Sequence, residues 1–118
     1  RNWIRQAEAD IKTSGNSLNS KDYYASAFWS QQAVEKCLKA ALIEKTGELI
    51  KTHDLVILGR KAILPDSLLK SCEILSKAYV ESRYGIIDKE IPAEKFEKND
   101  ALKFISIAKE VLTWAKKI

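Results

Sequence analysis

The stretch Phe28-Trp29-Ser30-Gln31-Gln32-Ala33-Val34-Glu35-Lys36-Cys37-Leu38-Lys39-Ala40 decides the fold. On a period of about 3.6 residues, Tyr24, Phe28, Gln31, Glu35, Leu38 and Leu42 fall along one band flanked by Ala27, Val34 and Ala41. The result is a long helix whose core-facing stripe carries an amide and a carboxylate where a plain bundle would have Leu or Ile. Either group costs about 1 to 3 kcal/mol if it is buried without a partner. Gln31 and Glu35 therefore belong to a buried hydrogen-bond network that fixes helix register, or they build a polar pocket or self-association seam between helices. In the second case, Gln31→Leu or Glu35→Leu leaves the helix intact and alters assembly or ligand binding more than stability.

Outward from this helix, the same periodicity organises the rest of the chain. Trp3, Ala7, Ile11, Ser14 and Leu18 recur at steps of three and four, which predicts a first amphipathic helix over residues 2–18. Ser20 is the expected N-cap of the second helix, with Asp22 in its first turn; that helix runs to about Lys45, where Thr46-Gly47 stops it. Thr52 is the expected cap of a short third helix over 53–63, with Leu55, Leu58, Ala62 and Ile63 as its apolar positions. Pro65-Asp66 breaks it, and Asp66 is expected to cap a fourth helix through Leu69, Cys72, Leu75 and Tyr79.

Residues 81–96 lose helical periodicity and contain Gly85 and Pro92, so they form the one long connection. Its Tyr84, Ile86, Ile87, Ile91 and Phe96 are apolar for a loop, and they are expected to pack against the bundle or another subunit. A last helix over 98–117 carries Leu102, Ile105, Ala108, Val111 with Leu112, Ala115 and, just past its end, Ile118. The fold class is all-α: an up-and-down four-helix bundle with an additional short helix, one domain over residues 1–118.

Composition agrees, with 46% hydrophobic and 31% charged residues and only four Gly and two Pro in 118. The net charge of +4 is ordinary for a small domain and does not by itself imply nucleic acid. The lysines at 95, 98, 103, 109, 116 and 117 make the C-terminal third basic, which reads first as a solvated helix face and second as a strip for phosphates. Cys37 and Cys72 have apolar neighbours and no C-x-x-C spacing, so they read as buried thiols of a cytoplasmic protein. No metal or cofactor is expected, and no stretch approaches the roughly 20 apolar residues of a membrane span.

Taken together, several segments resemble the HEPN domain family. They are Trp3 with Ala7 and Asp10, Tyr23-Tyr24-Ala25-Ser26-Ala27-Phe28 running into Gln31-Gln32-Ala33-Val34-Glu35-Lys36-Cys37-Leu38-Lys39-Ala40, Thr52-His53-Asp54-Leu55, and Arg83-Tyr84. The resemblance implies a four-helix bundle with a shorter extra helix, usually a homodimer. Its implied partners are a minimal nucleotidyltransferase, in a toxin–antitoxin-like two-component pair, and a nucleotide or RNA. Many members are metal-independent ribonucleases whose signature is an Arg followed a few residues later by a His, both subunits contributing to one cleft.

Arg83 matches that Arg, but residues 84–93 read Tyr-Gly-Ile-Ile-Asp-Lys-Glu-Ile-Pro-Ala and hold no His. Attack by a 2′-hydroxyl needs a group that titrates near neutrality as well as a fixed cation, and Arg supplies only the cation. The one His, His53, belongs to a different motif; it reads first as a residue whose ring bonds a neighbouring helix and second as a displaced catalytic base. The expected role is thus a nucleotide- or nucleic-acid-associated binding module, with Arg83, Tyr84 and Lys39 as anion-binding candidates. The alternatives are a HEPN-type ribonuclease using Arg83 and His53, and a structural dimerisation module without catalysis. Glu35 and Lys39, four apart, also fit a simple intrahelical ion pair.

Overall fold

The computed structural model describes residues 2–84, 91 and 94–118, the side chains of 79–84 excepted. Five helices follow in order: α1 (Asn2–Asn19), α2 (Tyr23–Thr46), α3 (Leu55–Lys61), α4 (Asp66–Tyr84) and α5 (Lys98–Lys116). The four long ones alternate in direction, and α3 bridges α2 to α4. Half of the residues of α2 are buried, all between Ser26 and Leu42, and it touches each of the other helices. Its small residues Ser26, Ala27, Ser30, Ala33, Cys37 and Ala41 let neighbouring backbones approach, while Val34, Leu38 and Leu42 supply the apolar mass.

The reversal from α1 to α2 is tight. Lys21 adopts a left-handed φ of 62°, and Asp22 N–H reaches back to the Ser17 carbonyl at 2.8 Å. Ser20 is not the cap expected from sequence; its N–H still bonds Asn16 O at 3.1 Å, so it belongs to the end of α1. Asp22 caps α2 instead, its carboxylate accepting from Ala25 N–H at 3.3 Å. Just inside this turn the hydroxyl of Ser14 donates to Ser26 O at 2.7 Å and lies 2.9 and 2.8 Å from the hydroxyls of Ser26 and Ser30. All three serines are fully buried, so this polar clamp fixes how α1 lies on α2.

At the other end Gly47, with φ 74°, terminates α2 as its sequence implies, its N–H bonding Ile43 O at 2.8 Å. Asp54, not Thr52, caps α3, its carboxylate accepting from Val56 and Ile57 N–H at 2.9 and 3.2 Å. Thr52 instead accepts from Asp54 N–H at 3.2 Å and orders the approach. The helix stops at Lys61, short of the expected 63. Leu64 N–H bonds Gly59 O and Ile63 N–H bonds Arg60 O, which makes Ile63 the left-handed residue of a Schellman closure, at φ 57°. That position usually takes Gly. A β-branched residue there costs about 1 to 2 kcal/mol, and Ile63 is 75% exposed, not an apolar position of the helix.

Asp66 opens α4 from within the first turn and is not its cap; the preceding Pro65 carbonyl accepts from Leu69 N–H at 2.9 Å. α4 continues to Tyr84, past the point at 81 where periodicity fades, because no breaker occurs before Gly85. Of the apolar connection, Phe96 packs into the bundle as expected, with ring centroids 6.0 Å from Tyr24 and 5.8 Å from Phe104. Ile91 is exposed. The expectations for Tyr84, Ile86 and Ile87 lie outside the described residues.

Three positions in the core generate tests. A Cβ on Gly59 would come within 2.9 Å of Leu69 Cδ1 and 3.3 Å of Leu64 Cδ2, where α3 turns onto α4. Gly59→Ala is expected to lower stability by about 1 to 3 kcal/mol in urea unfolding despite its better helix propensity; an increase would show that the corner gives way freely. Cys37 and Cys72 are free and buried, and burial foremost pushes both thiols from 9.0 up to about 12. The folded chain therefore holds these protons more tightly than the unfolded chain, so their contribution is complete below pH 9 and is lost as pH rises towards 12. Unfolding midpoints should fall more steeply over that window in the wild type than in Cys37→Ala/Cys72→Ala. Parallel curves would show that the thiols do not contribute.

Candidate functional site

Gln31, Glu35 and Lys39 lie one turn apart on α2, and all three are buried. Glu35 holds this stripe together. Its Oε2 accepts from Lys39 Nζ at 3.1 Å, and His53 Nδ1 stands 3.1 Å from both carboxylate oxygens. Lys39 also lies 5.7 Å from the centroid of the Trp3 ring, so its charge is shared between a carboxylate and an aromatic face contributed by α1. Glu35 and Lys39 thus form the intrahelical pair that their spacing allows, in a buried setting.

His53 sits in the segment between α2 and α3, directly before the Asp54 cap. Its side chain is 86% exposed while that of Glu35 is 6% exposed. The ring therefore bonds a neighbouring helix, though from just ahead of α3 and not from its first turn. An ionised carboxylate only accepts, so Nδ1 carries the hydrogen and Nε2 of the neutral ring keeps its lone pair for solvent or a ligand. This is the arrangement by which a carboxylate orients an imidazole for proton transfer.

A second polar network was only partly signalled by sequence. Asp10, 2% exposed, accepts from Lys36 Nζ at 3.0 Å and from Gln6 Nε2 at 2.9 Å, joining α1 to the opposite side of the stripe. Gln31 Oε1 is buried with no hydrogen-bond partner among the described residues. The side chains of Arg83 and Tyr84 lie outside the described residues, so the structure brings together Glu35, Lys39, His53 and Trp3 and leaves the other two anion candidates as sequence assignments. Among the described residues no group of three or more His, Cys, Asp or Glu could hold a metal ion, and no helix is long and apolar enough to cross a membrane.

This geometry changes the expectation for the stripe. Glu35→Leu alone strands the buried Lys39 ammonium and should cost about 3 to 5 kcal/mol, whereas Glu35→Leu/Lys39→Leu removes both charges and should recover most of that loss. Urea unfolding of the two variants decides it. Equal stability of the single and double variants would mean that Lys39 escapes to solvent.

Comparison with known proteins places this architecture. The family model described as HEPN domain matches residues 1–118. The crystal structure of TT1696 from Thermus thermophilus superposes with a TM-score of 0.89 at 24% identity, covering 99% of this chain and 95% of that one. ST0689, described as an archaeal HEPN homologue, gives a TM-score of 0.80 at 30% identity over 98% of this chain and 93% of its own. No curated protein matches. With the family model spanning every residue, the two solved folds agreeing over nearly the full length, and the Gln31-to-Lys39 stripe and Thr52-His53-Asp54 segment joined through Glu35, the chain belongs to the HEPN domain family.

Proposed function

We propose that this HEPN domain is a nucleotide- or nucleic-acid-associated binding module that works as a homodimer beside a minimal nucleotidyltransferase, in a toxin–antitoxin-like pair. One observation favours binding over catalysis. After Arg83, residues 84–93 offer no side chain whose ordinary pKa lies near neutrality, while the guanidinium keeps its charge and its fit to phosphate oxygens at any physiological pH. The net charge of +4 acts in the same direction.

Arg83→Ala is then expected to weaken binding of a nucleotide or a short RNA by about 1.5 to 3 kcal/mol, the worth of a hydrogen bond to a charged group, and to flatten its salt dependence. Fluorescence anisotropy with labelled RNA at several salt concentrations measures both. Unchanged affinity removes the anion site and leaves a structural dimer.

A ribonuclease is the second reading, and His53 is its support. The imidazole is exposed and held through Nδ1 by a buried carboxylate, with Nε2 available to take a proton. In the binding reading, purified protein does not cleave RNA without metal. Cleavage by the wild type that vanishes in both Arg83→Ala and His53→Ala would establish His53 as the base.

A further inference from the structure

Ile63 combines two unfavourable features. It holds a left-handed φ of 57° that Gly or Asn would adopt more readily, and it is 75% exposed, so packing among the described residues offsets little of the strain. An exposed isoleucine in a forced conformation is a projecting apolar knob. A groove of about 650 Å³ lies between α4 and α5, walled by Leu68, Leu102, Ile105 and Trp114, with Leu102 itself 45% exposed. The volume exceeds one isoleucine side chain and has room for neighbouring apolar atoms.

Knob and groove share one side of the molecule. The Ala62 carbonyl, adjacent to Ile63, accepts from Lys45 Nζ at 2.7 Å, and that same ammonium lies 5.2 Å from the centroid of the Trp114 ring in the groove wall. Leu68 follows Ile63 after the short turn through Pro65. A two-fold axis needs this adjacency, because each copy must present and receive at the same patch. The rim satisfies the charge requirement as well. Lys109 and Lys117 stand with Glu110, and none of the three forms an ion pair among the described residues. A border carrying both signs complements itself on two-fold rotation, whereas a uniformly acidic or basic partner would meet like charge along part of it.

We propose that Ile63 of one copy seats in the α4/α5 groove of a second copy of this chain, two such contacts related by a two-fold axis forming one interface. This names the surface of the homodimer in the reading above and rests on that reading. It also explains the isoleucine: the side chain that strains the isolated chain is the one that the partner groove buries.

The experiment pairs sedimentation equilibrium with thermal unfolding of the full chain as wild type, Ile63→Asn and Leu102→Glu. The wild type is expected to be a dimer at micromolar concentration. Each substitution should raise the dimer dissociation constant at least about tenfold, as loss of a buried apolar side chain implies. In dilution where every form is monomeric, Ile63→Asn should melt higher than the wild type, because Asn tolerates the left-handed position. The same substitution thus strengthens the monomer and weakens the dimer, which a merely damaged fold does not do. A wild type that stays monomeric overturns the interface and the homodimer together. A dimer that both variants leave intact overturns this surface alone, and a monomer that Ile63→Asn destabilises overturns the strain on which it rests.

Discussion

A carboxylate buried on the central helix constrains much else in this bundle. Glu35 lies on the element that every other helix touches, and at 6% side-chain exposure it cannot rely on water. Charge in such a place is tolerated only when paired and hydrogen-bonded with good geometry. Lys39 supplies the countercharge from the next turn, Trp3 covers that ammonium from α1, and His53 Nδ1 reaches both carboxylate oxygens from the segment that leads into α3. Three parts of the chain are thereby fixed relative to one another by one side chain. A hydrophobic residue at 35 would fill the space, but it would not specify where residue 53 must stand.

The opposite end of α2 uses neutral groups for the same purpose. Ser14, Ser26 and Ser30 exchange hydroxyl contacts of 2.7 to 2.9 Å in a fully buried site, next to the turn at Lys21. Between the two ends, Lys36 ties Asp10 of α1 to the same helix. The α1/α2 pair is thus locked in register by polar contacts at intervals along its length, while α4 and α5 leave a groove between them. The buried polar contacts that set register are thus found along α1 and α2, while the α5 face beside Leu68 of α4 keeps Leu102 half exposed.

Much of the fold was legible because helical periodicity survives even where the stripe is polar. Gln31 and Glu35 could be placed in the core from spacing alone, and Gly47 ended α2 for a reason that any sequence shows. The caps were harder. Ser20 and Thr52 have good capping chemistry, but a two-residue displacement to Asp22 and Asp54 follows from backbone hydrogen bonds that only the folded turn defines. Ile63 looked like a helical core position since its spacing from Leu55 and Ala62 says nothing of a left-handed closure. The Glu35–His53 bond was invisible for a different reason: its partners are separated by a helix end and a loop, and no local pattern states which way a loop imidazole turns.

That bond matters chemically because it decides which nitrogen of the one histidine faces out. With Nδ1–H committed to Glu35, Nε2 is an acceptor while the ring is neutral and a donor once it is protonated, whichever ligand approaches. The Lys39 ammonium pairs with Glu35 beneath the ring, so the carboxylate that orients the imidazole is itself buried. Such a ring is suited equally to donating a hydrogen bond to a bound anion and to relaying a proton. The distinction between the two rests on whether a fixed cation stands within reach of the same phosphate, and therefore on the partnership of His53 with Arg83, not on either residue alone.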